Sequence, residues 1–88
     1  MHPFVDMELK QVPRACGVFV LFQIQIPVHV DATENLQRAL REARTKFPRA
    51  SHFAVEPAPD EPAMRARLEE LQRQMTRVRA AAFFEKQG

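Results

Sequence analysis

The stretch VFVLFQIQIPVHV, residues 18–30, decides the fold of this 88-residue chain. Valine, phenylalanine or isoleucine occupies every second position of it, as expected for a β-strand with one buried face. Near its start the alternate positions are apolar as well, which predicts burial on both faces there. Pro27 has no N–H to donate, so a strand must bend, lie at an edge or stop pairing at that residue. The pattern leaves open whether one bent strand or two strands result.

Residues 4–11, upstream of this stretch, alternate apolar with charged side chains. The apolar set is Val5, Met7 and Leu9, and the charged set is Asp6, Glu8 and Lys10. Period-two alternation predicts a half-buried strand. Residues 12–17 contain Pro13 and Gly17 and are predicted to form a turn. We therefore expect residues 4–11 and 18–30 to form an antiparallel hairpin.

A helix is predicted after residue 30. Asp31 is its expected N-cap, with Glu34 at the capping-box position three residues later, and Pro48 ends it. Its apolar residues recur at helical spacing and predict a helix packed on the sheet: Leu36, Leu40, Ala43 and Phe47.

The remaining sequence predicts a third strand and a long C-terminal helix. Residues 51–56 form the strand, with Phe53 and Val55 facing the core, and Asp60 caps a helix over residues 61–86. The predicted order is β-β-α-β-α, a small α+β domain. We treat residues 1–88 as one domain, with a ββαβ unit at 1–58 and a C-terminal interaction helix at 59–88.

Apolar residues of the C-terminal helix follow alternate steps of four and three residues, as in the seam of a coiled coil. The seam positions are Met64, Leu68, Leu71, Met75, Val78 and Ala82. Phe83 and Phe84 lie off this seam and need a burial site of their own. Either the helix packs on its own sheet, with the two phenylalanines closing an edge of the core, or it pairs with another chain.

The seam leads us to expect a small non-enzymatic accessory protein that binds protein. It would form a homodimer through the helix and dock on a further, unidentified protein. The expected interface is Met64, Leu68, Leu71, Met75, Val78, Phe83 and Phe84. The alternative is a nucleic-acid-binding regulator that contacts phosphates through the helix arginines Arg67, Arg73, Arg77 and Arg79. A net charge of only +2 and the absence of Trp and Tyr make nucleic acid the weaker expectation.

The other side chains show no pattern that is typical of a catalytic, metal or cofactor site. Cys16 is the only cysteine, so no internal disulfide forms, and we expect it to be buried or half-buried beside a turn. His29 and Asp31 lack the further ligands that a metal site needs. Ser51 and His52 are neighbours on a predicted strand and would point to opposite faces, which argues against pairing. With two glycines there is no phosphate-binding loop. We therefore expect no enzyme activity, cofactor or metal.

The expected cellular compartment is based on the lack of a signal peptide and of a membrane-spanning segment. Residues 1–10 contain no apolar signal-peptide region. The longest apolar stretch, residues 18–30, is too short and too polar to span a bilayer. These features predict a cytoplasmic protein without a membrane partner.

Overall fold

The computed structural model describes the backbone of residues 2–87 and the side chains of residues 2–77. It confirms a small α+β domain, with a four-stranded antiparallel sheet and helices on both of its faces. The elements in chain order are β1 (His2–Pro3), α1 (Asp6–Leu9), β2 (Gly17–Gln23), β3 (Ile26–Thr33), α2 (Leu36–Lys46), β4 (His52–Pro57) and α3 (Glu61–Gln87).

The strand order across the sheet is β1-β4-β2-β3, and every pairing is antiparallel. Residues 18–30 form two strands, since β2 and β3 pair as a hairpin up to Gln23 and Ile26. The register shifts between Leu21 and Phe22, and Phe22 then pairs with Pro27. Proline cannot donate to a ladder, and β3 is an edge strand, which is where a sheet accommodates proline.

The predicted strand at residues 4–11 is wrong. This segment forms the short helix α1, in which the N–H groups of Glu8 and Leu9 donate to the carbonyl of Val5. Met7 is 76% exposed and Val5 is exposed too, so the alternation did not mark a buried face. The buried side chains are Phe4, Leu9 and Val12. Leu9 and Val12 stand three residues apart, which is helical spacing, and short apolar runs fit both periods.

The expected N-cap of α2 is also wrong. Asp31 lies inside β3, opposite Phe19, because that strand keeps pairing as far as Thr33. Asn35 is the N-cap, and its side-chain oxygen accepts the N–H of Arg38 at 3.1 Å. The predicted core positions Leu36, Leu40 and Ala43 are buried, and Phe47 follows the helix as its C-cap.

One face of the sheet carries the main core. Phe19 and Leu21 of β2 and Phe53 of β4 share this face because they occupy matching register positions. They form a single buried cluster with side chains of α1 and α2, including Leu9, Leu36 and Leu40.

The helix α3 packs on the opposite face, against β2 and β3 of its own chain. Asp60 caps it as predicted, since its carboxylate accepts the N–H of Ala63 at 2.9 Å. Val18 and Val30 on this face are buried, as is Met64 of α3. The described part of α3 therefore packs on its own sheet, which answers a question that the sequence left open.

Candidate protein interface

The seam positions of α3 differ in their surroundings. Met64, near the start of the helix, is 8% exposed and belongs to the interior of the domain. Leu68, Leu71 and Met75 are half-buried. The expected contacts through Val78, Phe83 and Phe84 fall on side chains outside the described residues. The described seam therefore becomes less covered along the helix.

An apolar crevice lies where α3 crosses the hairpin end of the sheet. Its volume is about 150 Å³, and both the sheet and the helix line it. The lining residues are Val20, Phe22, Pro27, Val30, Leu71, Gln74 and Met75. Most of them are apolar, as in binding sites that accept an apolar group.

The hairpin turn beside this crevice holds an exposed isoleucine in an unfavourable backbone conformation. Ile24 is 72% exposed and has a φ of 61°. This left-handed region is a genuine outlier for a β-branched residue, and glycine adopts it without strain. Ile26, on the other side of the turn, is 50% exposed.

The strained turn is fixed to the neighbouring part of the chain. The N–H of Ile24 donates to the Ser51 hydroxyl oxygen at 2.7 Å, and that hydroxyl donates to the Phe22 carbonyl at 3.3 Å. Backbone strain persists where the surrounding structure over-determines it, often at sites of function. We call Phe22, Ile24, Pro27, Leu71 and Met75 the tip surface.

The sequence pattern does not predict the turn at Ile24. The available signal was Ile24 and Gln25 between two apolar segments, but that pair lacks the Asn, Asp or Gly that marks a hairpin turn. An unusual turn residue of this kind is visible only when the strand pairing is known.

The described arginines of α3 differ in whether they pair with another described residue. Arg67 donates to Glu56 at 2.8 Å and contacts Glu70 at 3.1 Å. The hydrogen bond to Glu56 is the main cause that raises the pKa of Arg67, and the hydrogen bond to Glu70 is the second cause. Arg73 and Arg77 are exposed and form no ion pair with another described residue. Arg79, the fourth predicted phosphate contact, has its side chain outside the described residues.

The Ser, His and Cys side chains make contacts within the fold. Contrary to the sequence expectation, Ser51 and His52 do pair, with Ser51 Oγ 2.9 Å from His52 Nδ1. Ser51 precedes the first residue of β4, so strand alternation does not separate the two side chains. Cys16 is half-buried, and its thiol donates to the Ala58 carbonyl at 3.2 Å.

His29 is held by aromatic and acidic neighbours. Its ring stacks on Phe47 with the centroids 4.5 Å apart, and its Nε2 lies 3.8 Å from the Asp31 carboxylate. Among the described residues, no three His, Cys, Asp or Glu side chains converge closely enough to hold a metal ion.

Comparison with family models, curated proteins and solved structures finds no match to the chain. Within the described residues, none of the helices combines the length and apolarity that crossing a membrane requires.

Proposed function

We propose that this chain is a small non-enzymatic accessory protein that binds protein, and that it forms a homodimer through the tip surface and α3. The observation that carries the proposal is Ile24. Its side chain is largely exposed at a backbone position that glycine would occupy without strain. A strained and exposed apolar residue beside an open apolar crevice is expected where a partner covers both.

The length of α3 supports a second copy as the partner. Its 27 residues extend for about 40 Å, whereas the eight residues of β3 span only about 26 Å. Leu71 and Met75 already line the crevice near the hairpin end, and the helix continues from there to Gln87. The sequence beyond Met75 remains rich in apolar residues, with Val78, Phe83 and Phe84 among them.

In a dimer with two-fold symmetry, each chain would cover the apolar crevice of the other. In such a dimer one surface patch faces its own copy, so a helix end from one chain fills the crevice of its partner. Methionine suits this role because its side chain adapts to irregular apolar surfaces. Small domains also recover stability by oligomerising. A further protein would then dock on the surface that the dimer leaves open.

The first test is the mass in solution, measured by light scattering from low micromolar to several hundred micromolar protein. We expect the mass of two chains at the upper end and a concentration-dependent fall towards one chain at the lower end. A mass of one chain throughout would overturn the homodimer.

A matched pair of exposed residues tests where the chains meet. Ile24→Ser removes an exposed apolar side chain from the tip surface, and Met7→Ser removes one from α1, outside it. We expect the first change to weaken the dimer by roughly tenfold, which corresponds to about 1.4 kcal/mol. The second should leave the dissociation constant unchanged. Equal effects would mean that the chains associate through undirected apolar contact.

The helix is tested by a double change at the seam. Leu71→Gln with Met75→Gln should abolish the dimer, because both residues line the crevice. Thr76→Gln on the exposed side of the same helix is the control. Circular dichroism must show that the sheet is retained in both variants. A double variant that folds and still forms dimers would contradict the interface.

The second candidate is a nucleic-acid-binding regulator. Arg73 and Arg77 favour it, because they are exposed, lie one helical turn apart and form no ion pair with another described residue. Arg67 favours it less, since two glutamates already hold its guanidinium. Retention on heparin with a steep dependence on salt, lost in Arg73→Gln with Arg77→Gln, would support it. No binding at low salt would exclude it.

A further inference from the structure

A second cleft lies between α1 and α2, on the face of the sheet opposite to α3. Its volume is about 610 Å³. The lining side chains are Asp6, Lys10, Arg41, Arg44 and Thr45. Unlike the crevice beside α3, this cleft is lined only by residues with charged or polar side chains among those that the structure describes.

The two walls of the cleft are fixed to each other. The side-chain amide of Gln37 in α2 donates to the carbonyls of Leu9 and Val12, at 3.4 Å in each case. It also lies 3.5 Å from the carbonyl of Lys10. Leu9 itself is buried in the core. These contacts hold the backbone of Lys10 at a set position relative to α2.

Three of the lining residues come from one side of α2. Arg44 and Thr45 follow Arg41 by three and four residues, so all three side chains are neighbours on the helix surface. Arg44 forms an ion pair with Asp6 across the cleft. Neither Arg41 nor Lys10 forms an ion pair with any other described residue.

The cleft therefore contains more positive than negative charge. Among the described lining residues, Lys10, Arg41 and Arg44 are cations and Asp6 is the only anion, which leaves an excess of two positive charges. A phosphate monoester carries about −1.5 to −2 at neutral pH and has three strongly accepting oxygens. Guanidinium groups match those oxygens with paired N–H donors.

We propose that this cleft binds the phosphate group of a phosphate monoester. Arg41 supplies a guanidinium that is in no ion pair with another described residue, Lys10 approaches from the opposite wall, and the Thr45 hydroxyl donates a further hydrogen bond. Arg44 contributes charge from a position that Asp6 fixes. This function is independent of the dimer and lies on the other side of the molecule.

The surroundings of the cleft favour a compact anion over the backbone of a nucleic acid. A backbone track needs cations along several successive phosphates. Here Asp6 stands at the cleft, and the nearby cation Arg38 is engaged by Glu42 at 3.4 Å. A single phosphate group needs only the few cations of this cleft, of which Arg41 and Lys10 form no ion pair with another described residue.

Titration with inorganic phosphate, followed by nuclear magnetic resonance at constant ionic strength, tests the proposal. We expect saturable shifts at the side-chain N–H groups of Arg41 and Arg44 and at the backbone of Thr45. Binding in the millimolar range is expected, because the cations are exposed to solvent and salt. Chloride at equal ionic strength should give no such shifts. Shifts that do not saturate, or none at all, would overturn the site.

Variants on both walls complete the test. Arg41→Gln and Lys10→Gln should each weaken phosphate binding by roughly tenfold, since a hydrogen bond to a charged group is lost. Arg38→Gln, on the same helix but outside the cleft, should change it by less than about twofold. An equal loss in Arg38→Gln would show diffuse attraction instead of a site. Binding of a DNA duplex that Arg41→Gln abolishes, without saturable phosphate binding, would overturn the proposal in favour of nucleic acid.

Discussion

Helices cover both faces of the sheet, but they bury their apolar residues to different extents. On the α2 face, Leu36 and Leu40 of the helix are fully buried against the sheet. On the α3 face, Met64 is buried, whereas Leu71 and Met75 leave an open crevice. The two helices also differ in length: the 11 residues of α2 extend for about 16 Å, while the 27 residues of α3 are longer than any strand. A helix that is longer than the strands of its sheet has surface that another molecule can contact.

Truncating one leucine to alanine on each face of the sheet is expected to give the largest difference in the free energy of unfolding. Leu40→Ala should destabilise the domain by about 2–5 kcal/mol, because the side chain is fully buried and leaves a cavity. Leu71→Ala should cost less, since its site is already open on one side. Urea unfolding at a low protein concentration measures both free energies. Equal losses would mean that the two faces are packed alike.

Enlarging a residue on each face gives the next largest contrast. A Cβ at Gly17 would lie 2.4 Å from the Glu56 carbonyl oxygen and 2.9 Å from the Pro57 Cα. Both are backbone atoms, so Gly17→Ala should destabilise the domain by about 1–3 kcal/mol. Val20→Ile adds a methylene beside the crevice and should be tolerated. Thermal unfolding compares the two. A tolerated alanine at residue 17 would contradict the close approach of β2 and β4.

The hairpin turn should respond oppositely to glycine at its two positions. Ile24→Gly relieves a left-handed conformation and should stabilise the monomer by about 1 kcal/mol. Gln25→Gly has no such strain to relieve and should destabilise it by about 0.5–1 kcal/mol. Urea unfolding of each variant tests the pair. If Ile24→Gly gave no gain, the strain argument for the tip surface would fail.

Removing the ion pair between Arg67 and Glu56 is expected to have the smallest effect on the free energy of unfolding. It joins the end of β4 to α3, but both side chains reach solvent. Glu56→Gln should therefore change the free energy of unfolding by an amount near the detection limit, and salt should erase the difference. Glu61→Gln, which removes the pair with Arg65 inside α3, is the control. A loss comparable to that of Leu71→Ala would show that charge, and not apolar contact, holds α3 on the sheet.

Local patterns predicted several elements from the residues alone. The spacing of Leu36, Leu40 and Ala43 predicted the buried side of α2, and Asp60 predicted where α3 begins. These signals are contained in one element, where neighbouring residues decide which side chains share a surface. The misread segment at residues 4–11 was too short for its period to be decisive. Its apolar residues fitted a strand and a helical turn equally well.

What the sequence by itself determined is the α+β class, the two longer helices and the apolar stretch that becomes β2 and β3. Only the tertiary structure decided that Pro27 lies in an edge strand, that Asp31 continues a strand and that Ile24 occupies a strained turn. It alone decided that α3 covers one face incompletely and that Lys10 and Arg41 line one cleft. The physical reason is distance along the chain. Strand pairing and helix docking join residues that are far apart in sequence, and no local period carries that information.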